Sequence, residues 1–373
     1  MELLRGMTWD HPRGLDCLVA SNPLLVEKHS VNVEWKARSL LAFGDQHIEE
    51  FYRDFDLMVI DHPHVPDAVN AGAVIAFEDL IAASDLEELS RTSVGPSHDS
   101  YEYRGKHWAL AIDTASQVSA FRADKMDHAP IFWSDVIEQA RKKIVLWPYK
   151  PVDAFSTFAT LMAQKEHGLA EGSEYFDREC AVEVLEFMIE LASLVPDWCA
   201  KSNPIDIAEV LADSDDFSCA VALYGYSNYS RAGFRKKLVN YDDIPSFDGS
   251  ARGSQLGGAG IAVSSASRNP QAAARAALAL SLPEVQAGIY GMSAGQPGNL
   301  VAWKSHGLNA VTGNFFGNTL RTLEGSWVRP RVLGWPDVQF QTSLVIHQVL
   351  QNRMVTKSDV DSMLSMYEKF IRE

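Results

Sequence analysis

Two short segments concentrate the groups that could do chemistry: Thr8-Trp9-Asp10-His11-Pro12-Arg13 and Ile60-Asp61-His62-Pro63-His64. A carboxylate accepts hydrogen bonds from hydroxyls, an indole face stacks on a sugar ring, and a guanidinium grips a carboxylate through two parallel bonds. Trp9, Asp10, His11, Arg13, Asp61 and His62 are therefore the parts of a polyol or organic-acid site. The same imidazoles and carboxylates could hold a metal or act as an acid/base pair. No HExxH or comparably specific spacing accompanies them, so a hydrogen-bonding ligand site is the expectation, with no metal and no cofactor. The bland alternative stays open: Asp10 and Asp61 cap the helices that follow, and His62 and His64 sit in a turn beside proline.

Other candidates are spread along the chain. Asp113 and Thr114 lie in a long extended passage, and Tyr224, Tyr226 and Tyr229 end an apolar run, where they could face a ligand or simply pack. Gly258 belongs to Gly257-Gly258-Ala259-Gly260, which lacks the dinucleotide-binding spacing and points to backbone conformation. Gly291-Met292-Ser293-Ala294-Gly295 matches GxSxG, but a nucleophile elbow needs a strand before it and a helix after it. Here a helical pattern precedes and Gln296-Pro297-Gly298-Asn299 follows, so the match is read as chance. Cys17 falls in an amphipathic helix as a buried thiol, and with Cys180, Cys199 and Cys219 it is too widely spaced for a zinc knuckle or redox pair.

The elements that must position these groups alternate in period. Extended runs at 2–9, 31–35 and 56–61 are separated by helical patterns over 15–29 and about 39–52, the signature of βαβ units. Residues 103–113 contain a tight turn at Arg104-Gly105-Lys106 between extended runs, and 114–124 continue extended. Helices are predicted over 132–142, 151–167 and 177–194, with strands at 144–147, 218–225 and 237–245. After a polar, glycine-rich stretch comes a strand at 261–265. A helix then follows from Asn269, its predicted cap, with Pro270 in the first turn. The tail from Asp337 to Phe370 reads as two helices broken near Thr356 and Lys357, with Thr356 or Ser358 as candidate caps of the second.

The whole has 373 residues, 46% hydrophobic and 22% charged, enough for two globular domains with substantial cores. Its formal charge of −16 repels phosphate backbones and anionic lipid, which argues against nucleic acid as a partner. No stretch reaches the length of apolar sequence needed to cross a bilayer, so membrane insertion is not expected. Met1 to Trp9 lacks the layout of a signal peptide. The expectation is either a trimmed export signal, with a periplasmic or extracellular protein, or a cytoplasmic one if Met1 is the native start.

Four segments together resemble extracellular solute-binding family 1, the type 2 periplasmic binding proteins of ABC importers. They are residues 56–80, 103–124 (YRGKHWALAIDTASQVSAFRAD), 256–280 (LGGAGIAVSSASRNPQAAARAALAL) and RPRVLGWPDVQF with the helices after it. The second is similar to the family's Y-x-G-K pattern, with Ala111 where proline is common. The resemblance implies an α/β fold of two lobes, each a mixed, mostly parallel sheet flanked by helices, with the ligand cleft between them. It implies discontinuous lobes, 1–112 with 261–310 and 113–260 with 311–373, and hinge crossings near 111–116, 257–262 and 308–314. Gln296 would then lie on a loop reaching the cleft, and Arg331 and Trp335 would stand where related proteins reach ligand.

The function implied is a substrate-binding protein that closes by hinge motion on a small polar solute, a sugar or related polyol or organic acid. Its partners would be that solute and the permease subunits of an ABC importer, and it would act as a monomer without covalent chemistry. The rival reading is a cytoplasmic enzyme or ligand sensor on the same scaffold, using the Asp/His-rich strand ends, because fold does not dictate function.

Overall fold

Strand-period apolar patterning and the helices between the runs produce the expected α/β architecture. The computed structural model describes residues 1–39, 48–170 and 175–371. In chain order the strands are β1 (Glu2–Trp9), β2 (Val31–Arg38), β3 (Leu57–Ile60), β4 (Val74–Ile75), β5 (Glu102–Tyr103), β6 (Lys106–His107), β7 (Leu110–Phe121), β8 (Val145–Leu146), β9 (Cys219–Tyr224), β10 (Asn240–Asp242) and β11 (Leu256–Ser264). The chain divides into two units: Met1–Thr114 with Gly257–Val311 and Arg331–Leu333, and Ala115–Leu256 with Thr312–Pro330 and Gly334–Glu373.

In the first unit β1 runs parallel to both β2 and β3, and β11 closes the set antiparallel to β3 and β4. The two-residue period of a strand sends alternate side chains to opposite faces. Leu57 and Val59 of β3 join one apolar cluster with Leu4, Ile261 and the Ala-rich helix Pro270–Ser281. Met58 and Ile60 join a second with Met7 and Ala262. Both faces are thus covered, which is why these strands read as near-continuous apolar runs.

In the second unit β7 pairs antiparallel with β9 and β10, and β8 lies parallel to β9. The helix Pro151–Gln164 is buried along most of its length and packs against Trp335–Asn352. Thr356, one of the two caps the sequence offered, starts the last helix, Lys357–Phe370, through a reciprocal capping box with Asp359.

Several boundaries differ from the sequence expectations. Of the helix expected over about 39–52, residues 40–47 lie outside the described residues, and Ile48–Glu50 and Tyr52–Asp54 are short 3-10 turns. The strand expected from 261 begins at Leu256, so Gly257, Gly258 and Gly260 are part of it. Asn269 adds no side-chain cap to the helix that follows. The turn of residues 103–113 forms on Arg104 and Gly105, both with positive φ, the conformation a two-residue hairpin favours.

Candidate functional site

The C-terminal ends of β1 and β3 point the same way because the strands are parallel, so the segments after Trp9 and Ile60 emerge at one edge of the first unit's sheet. The pairing of Gly260 with Ile60 in antiparallel β11 brings Gly258 to that edge too. Gly258 has φ +127, and a Cβ there would lie 2.4 Å from the carbonyl oxygen of Asp113 and 2.7 Å from the Cα of Thr114. The start of β7 therefore passes backbone to backbone against Gly258, a closeness and a conformation only glycine permits.

The helix Pro12–His29 begins at this edge. His11 caps it, its Nδ1 accepting the backbone N–H of Arg13 at 3.1 Å, with Pro12 in the first turn, where a missing N–H costs nothing. Arg13 turns inward and meets Asp113: Nε donates to Oδ2 at 2.7 Å, and Nη2 donates to Oδ1. The two side chains are 5% and 1% exposed, so this is a buried, two-point ion pair. Burial pushes the Asp113 carboxyl up, Arg13 pulls it back, and the neighbouring Asp61 carboxylate adds to the rise. The Cys17 thiol, one helical turn on, donates to the Arg13 carbonyl at 3.1 Å and also engages Tyr290; burial holds the thiol up at about 12 and the Tyr290 hydroxyl well above its ordinary value.

Thr114 is held from three sides. Its hydroxyl is 2.7 Å from that of Ser97, its N–H donates to the Gln296 carbonyl at 3.0 Å, and Nε2 of Gln296 donates to the Thr114 carbonyl at 2.9 Å. Asp61 does what the bland reading assigned it: Oδ1 accepts the His62 N–H at 2.8 Å and caps the turn His62–His64. His62 is buried, its Nδ1 3.2 Å from Asp61 Oδ1 and its ring edge-on to Tyr101.

Some predicted residues take other places. Trp9 is 4% exposed and packs in the first unit's core, its indole over Gly14 so closely that a Cβ there would sit 2.4 Å away. A ring so covered does not stack on a sugar; Trp9 ends a strand whose core face continues through its last residue. Arg13 does not stand as a clamp for a ligand carboxylate, because Asp113 occupies its fork. Trp335 is fully buried in the second unit, edge-on to Phe155 and Tyr175, because the helix it opens lies on Pro151–Gln164. Arg331 belongs to the first unit and donates from Nε to the Glu102 carbonyl at 2.9 Å. Asp10 is exposed, with its N–H bonded to the Arg38 carbonyl at 2.7 Å. The GxSxG segment follows the helical stretch Pro283–Tyr290, so the strand that an elbow requires is missing from its N-terminal side. All four cysteines are buried thiols.

No protein-family model and no curated protein matches the chain. Solved structures do. The chain is similar to maltose-bound MalE3 from T. maritima, at 16% identity and TM-score 0.80, over 99% of this chain and 100% of that one. It is similar to an ABC-transporter solute-binding protein from Thermotoga lettingae TMO bound with α-D-tagatose, at 16% identity and TM-score 0.79, over 99% and 100%. A third, from Agrobacterium radiobacter K84 in complex with ribitol, gives 15% identity and TM-score 0.78 over 99% of both chains. The fold is that of ABC-transporter solute-binding proteins.

In the second unit, sequence reasoning named Tyr224 and Tyr226 and missed what surrounds the first. Tyr224 stands opposite Gln117 across β7 and β9, and its hydroxyl accepts Nε2 of Gln255 at 2.7 Å. Gln255 Nε2 also donates to Ser156 at 3.0 Å, and its backbone N–H to Thr160 at 3.0 Å; Thr160 donates on to Gln117 Oε1 at 2.7 Å. Gln117 Nε2 reaches Thr157 at 3.2 Å, as does the indole N–H of Trp147 at 3.1 Å. The legible signal was Ser156, Thr157 and Thr160 at helical spacing within the otherwise apolar stretch from Ala154 to Met162. Tyr226 is buried before the turn Ser227–Ser230. A wide groove of about 720 Å³ on the same unit, lined by Gln164, Lys165, Asp177, Glu183 and Arg252 among others, contains none of the predicted residues.

Proposed function

We propose that this protein is the substrate-binding component of an ABC importer, taking a small, uncharged polyhydroxyl solute, a sugar or polyol, by hinge closure. The observation that carries this reading is the full-length likeness, at TM-scores of 0.78 to 0.80, to solute-binding proteins whose structures hold maltose, α-D-tagatose and ribitol. The chemistry of the first unit's edge supports the choice between solute classes. With Arg13 neutralised by buried Asp113, the side chains left toward solvent there include Asp10, His11 and partly Asp61. Carboxylates accept hydroxyl hydrogen bonds and repel an organic acid. Asp10, His11 and Asp61 are the proposed ligand contacts of that unit, Tyr224 those of the other; Arg13, Asp113, Thr114, Gly258 and Gln296 position them. Delivery to permease subunits, action outside the cytoplasmic membrane and a monomeric state complete the proposal. No helix among the described residues is long and apolar enough to cross a membrane.

Calorimetry of the purified protein against maltose, maltotetraose, tagatose, ribitol and a set of organic acids tests it. A saturable neutral sugar or polyol, with unchanged compound recovered afterwards, is the expected result. Asp61→Asn should weaken that binding while leaving the unliganded melting temperature nearly unchanged. Tight binding confined to the acids, or chemical turnover of the bound compound, overturns the reading.

A further inference from the structure

The hairpin β5–β6 and the turn before it carry a second cluster, apart from the residues assigned above. We propose that His98, Asp99 and His107 form a binding site for a borderline divalent transition-metal ion of the Zn²⁺ type. One ligand atom from each of the three lies within 4.8 Å of the others. Their placement follows from local structure. His98 ends the segment anchored by its N–H to Ser93 Oγ at 3.0 Å, Asp99 opens the 3-10 turn Asp99–Tyr101, and the hairpin register sets His107 opposite Glu102.

The histidines are arranged as ligands are. His98 is 3% exposed, and Nε2 of both rings is buried with no hydrogen-bond partner among the described residues. The ring centroids lie 4.2 Å apart with 30° between the planes, which sets the two imidazoles side by side. Two buried imidazole nitrogens left without partners carry a desolvation penalty that a metal would relieve. On the far side of His107, Nδ1 is 2.9 Å from Glu78 Oε1, and the His107 backbone N–H donates to the same carboxylate at 2.9 and 3.0 Å. A carboxylate at Nδ1 fixes the proton there and leaves the Nε2 lone pair for a cation, the support that metal-binding histidines usually have.

Two imidazoles with one carboxylate suit zinc, cobalt, nickel or copper, whereas calcium and magnesium call for all-oxygen shells. Asp99 is exposed, which gives an ion a path in and leaves a fourth tetrahedral position to water. The bound ion would tie the turn at 98–101 to β6, a structural clasp within the first unit. Glu78 acts as a positioning residue.

The test uses the full chain, stripped with a chelator and returned to metal-free buffer. It is titrated with ZnCl₂ by calorimetry and with CoCl₂ by visible absorption. One equivalent of Zn²⁺ should bind, and Co²⁺ should develop the intense bands of a four-coordinate site. His107→Gln should abolish saturable binding. Asp99→Asn, at an exposed position that does not threaten folding, should weaken it by about 10-fold or more. Glu78→Gln should weaken it by roughly 10–100-fold while the four-coordinate cobalt spectrum persists at saturation. His306→Gln, at an exposed helix start, should change nothing. No saturable Zn²⁺ binding by the native chain overturns the proposal. So does one-equivalent binding that both His107→Gln and Asp99→Asn leave unaltered.

Discussion

Replacing Asp113 by alanine strands the Arg13 guanidinium in a place where its side chain is only 5% exposed. At the observed 2.7 Å between Nε and Oδ2 and an effective dielectric constant of about 20, the attraction lost is about 6 kcal/mol. The carboxylate no longer has to be desolvated, which returns part of that. The net expectation is the cost of breaking one side of a buried pair, about 3–5 kcal/mol. Arg13→Met should cost a similar amount, since it leaves Asp113 buried beside the Asp61 carboxylate. The double variant replaces two charges by an apolar stem and a methyl group and should recover most of the loss. The small cavity left by alanine appears on both arms of the cycle and cancels. Urea unfolding of the unliganded chain measures all four states. If the two units unfold in separate transitions, the loss should fall on that of the first unit; if they unfold together, it should appear in the single midpoint. A double variant whose loss equals the sum of the single losses within about 0.5 kcal/mol would show the two residues to be energetically independent, and would refute the assignment of the pair as the organiser of this edge.

Asp153 in the helix Pro151–Gln164 is buried with Oδ2 lacking a hydrogen-bond partner among the described residues, and burial raises its carboxyl to about 7. The folded state then binds more protons than the unfolded one between about pH 4 and 7. This group's contribution to stability should therefore fall by about 1.4 kcal/mol per pH unit as pH rises across that window and level off above it. Asp153→Asn should flatten the difference, read from urea midpoints at a series of pH values; parallel profiles for the two proteins would refute it. Gly258→Ala forces a side chain into a left-handed strand position against the backbone of Asp113 and Thr114, and should cost more than about 2 kcal/mol by the same urea assay. An unchanged midpoint would mean that the close approach is not maintained in solution. The thiols of Cys17, Cys199 and Cys219 are each raised by burial to about 12, and Cys180 is raised as well. An aromatic disulfide reagent at pH 8 should leave the native chain unlabelled and label all four after unfolding; rapid native labelling at any of them would contradict the burial.

Sequence alone determined the α/β class, because helix and strand periods are local properties of the chain. It also placed strands such as β1, β3 and β9 and helices such as Arg178–Leu194 to within a few residues, and it narrowed the cap of the last helix to Thr356 or Ser358, a choice settled by neighbours three residues away. It brought Asp61, His11, Arg13, Asp113 and Gly258 forward as special positions, since charged, imidazole and glycine residues at strand ends rarely lack a reason. The partner each one chose was a tertiary matter. Arg13 and Asp113 are 100 residues apart, and only the sheet order β1-β3-β11-β7 brings the guanidinium to that carboxylate rather than to a ligand. Trp9 and Trp335 looked suited to stacking because an indole has the same shape in a core as at a binding face, and burial against Gly14, Phe155 and Tyr175 decided between the two. The pairing of His98 with His107, and the Gln255, Tyr224, Ser156 and Thr160 network, were hidden for the same reason. A hydrogen bond or a shared lone-pair region depends on distances in space, which residue spacing constrains within one helix or hairpin and leaves open across a sheet.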